Sequence, residues 1–241
     1  LKRVLLTGLG IVLSVKLMAA DYKSIPEWYY NIKNINTQKE KFFEILTPLV
    51  KKENQKILEE RRFIKNFFNE MFKYPKLPEN KLKRLVKIAK KYRIKNIYNK
   101  DEYLKKIDII PQSLVLAQAA LESGWGKSRF AKEANNLFGE WTFGKRGLIP
   151  QEREEGKKHK IKVFGSISAS IASYMLNLNR HAAYREFRQA RYIARKEGRK
   201  FTGLQAAMTM QRYSQIGKKY NRLVVSIIKK NRLHHLETPR G

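Results

Sequence analysis

One carboxylate stands out for chemistry in this 241-residue sequence. Glu122 falls where LAQAALE gives way to SGWG, so it closes an apolar helical stretch immediately before a glycine-flanked tryptophan. A carboxylate in the last turn of a helix faces the negative end of the helix dipole, and an apolar neighbour strips it of water. Both effects favour the protonated acid, which can protonate a leaving oxygen near neutral pH. Trp125 is the expected apolar neighbour, and Ala119, Ala120 and Leu121 leave a solvated charge little polar company. The competing reading of Glu122 is an ordinary surface glutamate.

The elements that must hold this acid are set by spacing. Pro111 pre-sets a first helical turn, Leu114, Ala117, Gln118 and Leu121 recur at helical intervals, and Gly124 is the expected left-handed stop. Upstream, 21–36 shows no strong period and reads as a surface linker. From Thr37 a capping box with Glu40 opens a helical stripe through Phe43, Leu46, Val50, Ile57, Phe63, Phe67 and Met71, which Pro48 is expected to kink or divide. A second helix is expected from about Asn80, with Leu82, Leu85, Val86, Ala89 and Tyr92 on one face docking onto the downstream domain. After NNLFGEW, Gly144, Gly147 and Pro150 break any helix. Alternation through Lys160, Ile161, Lys162, Val163 and Phe164 then reads as a strand returning from a turn near Gly156, giving a small hairpin. Helices resume after Ser166, from Ala183 to Arg195, after a Thr202/Gln205 capping box, and from about Lys218 to Asn231. The expected organisation is a leader over 1–20, an N-terminal helical region over 21–105 and a catalytic domain over 106–236.

Composition narrows the chemistry further. With no cysteine there is no disulfide, thiolate metal site or cysteine nucleophile, and four scattered histidines form no recognisable zinc motif, so neither metal nor cofactor is expected. Residues 1–20 combine Lys2 and Arg3, an apolar run from Val4 to Val15, and Ala19 and Ala20, the pattern of a signal peptide and hence of an exported, periplasmic or envelope protein. A formal net charge of +31 demands anionic company. Outside the cytoplasm that company is cell-wall carboxylates and lipid headgroups. No helix-turn-helix, zinc-finger or RNP signature supports nucleic acid as partner, and lysines spread over every segment also fit a simply lysine-rich protein.

AQAALESGWG followed by NNLFG resembles the glucosaminidase domain of bacterial peptidoglycan hydrolases, which is mannosyl-glycoprotein endo-β-N-acetylglucosaminidase-like and glycoside hydrolase family 73-like. Within it the chain is most similar to the Bax-like group, from about Phe42 through SRFAKEANNLFGEW and RYSQIGKKY to the last helix. The resemblance implies a mainly α (α+β), lysozyme-like fold with one small β-hairpin. It also implies secreted endo-β-N-acetylglucosaminidase activity on peptidoglycan glycan strands, with Glu122 as general acid. A glycosidase needs a second group across the anomeric carbon, and in this family it lies on the hairpin a few residues before a glycine. In QEREEG, Glu152 fits that spacing best, while Glu154 and Glu155 remain open. Tyr213 resembles the family tyrosine that approaches the reacting sugar, whereas Tyr220 reads as packing. By residue type, a sugar groove needs aromatic platforms and amide hydrogen-bonders. Trp125, Asn136, Phe138 and Trp141 are candidates, with Asn135 or Asn136 serving only as a turn residue. Gln118, one turn before Glu122, either binds substrate or satisfies a buried backbone group. Two other readings stay open: a lytic transglycosylase on the same polymer, and a non-catalytic basic cell-wall-binding protein.

Overall fold

The computed structural model describes residues 22–71, 73, 77–144, 146–150, 159–210 and 217–237. The stretch read as a linker is partly helical: α1 (Glu27–Tyr30) is a single turn. Tyr29 within it and Ile25 just ahead of it are buried, and that burial fixes the segment in place. The long helix α2 (Ile35–Met71) runs unbroken through Pro48. Its start is set by Asn34 rather than Thr37, because the Asn34 Oδ1 accepts from the backbone N–H groups of Asn36 and Thr37 at 2.9 and 3.0 Å. In α3 (Glu79–Tyr92) the buried stripe is Leu85, Ile88, Ala89 and Tyr92. Leu82 and Val86 lie at the edge of that stripe and face solvent.

A short helix, α4 (Lys100–Lys106), capped by Asn99, leads into an extended strap at 107–111 and then α5 (Gln112–Glu122). Every residue of α5 from Gln112 to Ala120 is buried. A helix apolar all round must be surrounded. Here the surroundings are α2, the late helices α9 (Gly203–Met208) and α10 (Lys218–Lys230), and a 3₁₀ turn at Leu233–Leu236. Between these come α6 (Arg129–Ala134), capped by Ser128, and two short strands, β1 (Trp141–Thr142) and β2 (Lys160–Ile161). The strands pair antiparallel, Trp141 opposite Ile161 and Thr142 opposite Lys160, with Leu148 bridging Ile161. Two helices come next, α7 (Ile167–Arg180) and α8 (Arg185–Lys196), joined by a 3₁₀ turn at Ala182–Tyr184. The Thr202/Gln205 capping box forms as expected. The fold is mainly α with one small antiparallel pair. The returning strand is shorter than its alternation suggested, and the turn near Gly156 lies outside the described residues.

The strap before α5 is held by buried charge. Asp108, 1 % exposed, takes Arg195 in a two-pronged pair (Nε–Oδ2 2.5 Å, Nη2–Oδ1 2.6 Å), with Arg61 Nη1 3.5 Å from Oδ2. Arg191 donates to the carbonyls of Asp108, Ile109 and Lys105 at 2.9–3.1 Å, and Arg61 to those of Leu104 and Ile107. Asn54 on α2 brackets Ile110, donating to its carbonyl at 2.8 Å and accepting from its N–H at 2.9 Å. An irregular buried backbone needs such partners, and here they arrive as guanidinium and amide groups from α2 and α8. Removing one member of a buried ion pair strands the others. Asp108→Ala is therefore expected to lower unfolding free energy by about 3–5 kcal/mol, read from urea denaturation midpoints against wild type.

Candidate active site

Glu122 is the last residue of α5. Beyond it the chain turns sharply through three consecutive left-handed residues, Gly124 (φ 55°), Trp125 (φ 60°) and Gly126 (φ 73°). The expected stop at Gly124 is thus one of three. A tryptophan in this conformation is costly and needs anchoring. Its carbonyl accepts from the Tyr29 hydroxyl at 2.6 Å, and its ring packs edge-on against Phe42 and Phe43 of α2 at centroid distances of 5.9 and 5.3 Å. Lys39 Nζ lies 5.0 Å above the same ring. Ser123 Oγ closes the turn, donating to the Ala119 carbonyl and accepting from Gly126 N–H. Trp125 therefore fastens the N-terminal helices to the end of α5 while remaining partly exposed.

Glu122 is pushed above the ordinary carboxylate range by burial, while a hydrogen bond from the Tyr220 hydroxyl draws it partly back. Behind Tyr220 a buried relay continues. Gln118 Nε2 donates to the Tyr220 oxygen at 2.9 Å, and the Tyr174 hydroxyl donates to Gln118 Oε1. Gln118 is fully buried, so it orients the phenol that touches Glu122 and has no face for substrate. Tyr220, read from sequence as packing, is both buried and the direct partner of the acid.

The NNLFG turn is likewise structural. Asn135 takes the left-handed cap of α6 (φ 51°). Asn136, 1 % exposed, uses its whole amide: Nδ2 donates to the carbonyls of Glu140 and Lys162 at 2.9 Å, and Oδ1 accepts from the N–H groups of Phe138 and Glu140. Phe138 is 5 % exposed and stacks on Tyr174 at 3.9 Å and 4°. Neither can meet a sugar, because both are spent on shaping the loop. Trp141 is different. It is 61 % exposed and stacks on His159 at 4.3 Å, leaving an open indole surface. Glu152, Glu154, Glu155 and Tyr213 lie outside the described residues.

A second buried carboxylate, missed in the sequence, is what that loop presents. Glu140 Oε2 accepts from Ser173 Oγ at 2.8 Å and lies 3.6 Å from Lys162 Nζ, which itself donates to Ser173. Oε1 is buried with no hydrogen-bond partner among the described residues. Burial raises the Glu140 carboxyl, and Ser173 and Lys162 oppose that rise. Tyr184, in the turn between α7 and α8, lies within electrostatic reach of both acids: burial first, then the negative potentials of Glu140 and Glu122, push its phenol to about 12. The described residues thus bring Glu122, Tyr220, Tyr184 and Glu140 to one locality. Glu140 had a local signal, adjacency to Trp141 at the end of NNLFGEW; Tyr184 had none. Among the described residues no cluster of His, Cys, Asp and Glu could hold a metal ion, and no helix is long and apolar enough to cross a membrane.

Comparison with known proteins places the chain in a family. The model of the family described as mannosyl-glycoprotein endo-beta-N-acetylglucosaminidase matches residues 98–233, more than half of the chain. The chain belongs to the glucosaminidase family. It is a glycoside hydrolase by that membership. It is 32% identical to Protein bax of Escherichia coli (strain K12) over 200 residues, covering 80% of this chain and 70% of that protein. To Exo-glucosaminidase LytG of Bacillus subtilis (strain 168) it is 35% identical over 32% of this chain and 27% of that one, so it spans only a quarter or so of that relative. The solved glycoside hydrolase domain of Salmonella typhimurium FlgJ aligns with 26% identity and a TM-score of 0.38, covering 52% of this chain and 85% of that domain.

A carboxyl held this way can be tested through its proton. A carboxyl whose folded pKa is raised contributes stability that is complete below its unfolded pKa and lost as pH rises through the folded one. Glu122→Gln is therefore expected to melt higher than wild type at pH 7.5, with the difference vanishing near pH 4, as read by thermal scans at both. Tyr220→Phe removes the bond that favours the ionised form. Its expected effect is a further upward shift of the Glu122 titration, followed by NMR of the side-chain carboxyl carbon across pH.

Proposed function

We propose that this glucosaminidase-family chain is an exported peptidoglycan hydrolase. In this reading it acts as an endo-β-N-acetylglucosaminidase on glycan strands, with Glu122 protonating the leaving oxygen. The observation that carries the reading is the burial of the Glu122 carboxyl at the end of α5 beneath the Tyr220 phenol. Burial favours the protonated form that a leaving oxygen needs, and Tyr220 stabilises the carboxylate that results. Support comes from relatives: for glucosaminidase chemistry, LytG is named an exo-glucosaminidase, and for the polymer, a relative 34% identical over 88 residues, FlgJ of Escherichia coli (strain K12), is named a peptidoglycan hydrolase. Export is supported by the leader-like pattern of residues 1–20.

The second catalytic group remains the hairpin carboxylate, Glu152 by spacing. Where the cleaved sugar carries an acetamido group, its own oxygen can instead attack the anomeric carbon, with Glu152 orienting it. Glu140 takes a different part. Ser173 and Lys162 hold its Oε2 in place, and Oε1, buried and without a partner among the described residues, keeps a carboxylate charge beside the Glu122 locality, where it acts on the reacting sugar through its field rather than by contact. Trp141 offers the apolar ring face a platform, and Tyr213 keeps the substrate-contacting part that the family resemblance implies for it.

The experiment is product analysis on purified peptidoglycan. Wild type is expected to release fragments with free reducing N-acetylglucosamine ends; anhydro-muramyl ends would make it a lytic transglycosylase instead, and binding without cleavage a wall-binding protein. Glu122→Gln is expected to lose on the order of 10²–10⁴-fold in kcat; undiminished digestion rejects the acid. Loss of that charge from beside the acid predicts that Glu140→Gln loses about 10- to 100-fold in kcat/KM, mostly through kcat. Glu152→Gln retains appreciable activity if the acetamido group is the nucleophile.

A further inference from the structure

A cavity of about 690 Å³ opens between α4, α7, α8 and the turn after α3. Its lining is cationic out of proportion even for this chain: seven arginines and lysines against Glu102 and Glu186. Glu102 is already committed, to Lys106 Nζ at 2.8 Å and to the N–H groups of Lys95 and Asn96. At the floor lies Arg188, 6 % exposed, whose guanidinium donates to the Leu178 and His181 carbonyls at 3.0 and 2.7 Å and meets no carboxylate among the described residues. A buried guanidinium without a counter-charge is costly, and an anion from outside relieves that cost. Burial lowers Arg188 only to about 10, so it stays charged at neutral pH. Beside it, Arg180 donates to the Lys91 carbonyl at 3.2 Å and leaves a buried Nε with no partner among the described residues.

The cavity adjoins the acid-bearing locality. Ala182 and Ala183 line it, the next residue is Tyr184, and Arg180 lies within electrostatic reach of Glu140. From this juxtaposition we infer that the cavity is a subsite for carboxylate-bearing peptide stems, which hang from alternate sugars of the glycan and reach it when the strand lies across Glu122 and Glu140. Guanidinium forks suit carboxylates, each taking one in two-pronged fashion. A lipid phosphate would satisfy the same charges, but a lipid surface gives no reason for the cavity to adjoin the acid.

This inference rests on the peptidoglycan reading, and the test separates the two. Arg93 and Arg185 are exposed members of the lining. The double variant Arg93→Gln/Arg185→Gln therefore removes charge without touching the buried carbonyl bonds of Arg188. Wild type and variant are compared on stem-bearing glycan strands and on strands stripped of peptide. Binding of a free stem peptide is measured in parallel by calorimetry, as is binding to phosphatidylglycerol vesicles. Wild type is expected to prefer stem-bearing strands, and the ratio of kcat/KM between the two substrates to fall roughly tenfold in the variant, with peptide binding weakened alongside. Equal kcat/KM on both strands with no peptide binding overturns the subsite. Vesicle binding that the variant loses, without stem discrimination, assigns the cavity to lipid and also overturns it. Inactivity toward both strands, with peptide binding that the variant loses, rejects the hydrolase reading and leaves the subsite standing.

Discussion

Everything at this site depends on α5 being buried on all sides. A helix whose residues from Gln112 to Ala120 are all shielded from water has no face on which to rotate or slide. Its C-terminal residue is consequently delivered to one place. The Glu122 carboxyl ends up where the apolar enclosure gives out, close enough to protein to be desolvated and close enough to the edge to meet a ligand. Helices α2, α9 and α10 form the enclosure, so segments distant in sequence jointly fix one carboxylate.

Enclosure creates a second requirement at the other end. The strap leading into α5 is irregular backbone inside the protein, and its carbonyls cannot use water. Arg61 and Arg191 meet them, Asn54 brackets Ile110, and Asp108 holds Arg195 while lying beside Arg61. Part of the very high positive charge is thus internal and structural. Burial pushes Arg191 down to about 9, which still leaves it cationic at neutral pH. The same economy of carbonyl partners holds Arg188, but with no carboxylate to balance it among the described residues, and that difference separates a structural guanidinium from one available to an anion.

The N-terminal helices are bound into the same arrangement. Tyr29, Phe42 and Phe43 secure Trp125, and Trp125 occupies the middle of the left-handed turn that ends α5. One hydrophobic core runs from Ile25 to Leu233 through both halves of the chain. What reads from sequence as an accessory region is in contact with the turn beside the acid, so its packing bears directly on how firmly that turn is held.

Periodicity and caps are local, and local physics was legible in the sequence. The apolar run ending at Glu122, the Thr202/Gln205 capping box and the alternation that marks Lys160–Ile161 all arise from neighbours a few positions apart. Family kinship was legible too, because SGWG and NNLFG encode turns with little latitude in residue type. The assignment of individual side chains was not. Asn136, Phe138 and Gln118 have the chemistry of sugar contacts, and only the fold shows that each has its hydrogen bonds or its ring face taken by other parts of the protein. Conversely, Tyr220, Tyr184 and Glu140 looked ordinary until helices far apart in the chain converged on Glu122. Residue type and spacing determine which groups exist and which helix carries them; long-range packing decides which are desolvated and which face one another, because burial and proximity are properties of the assembled chain.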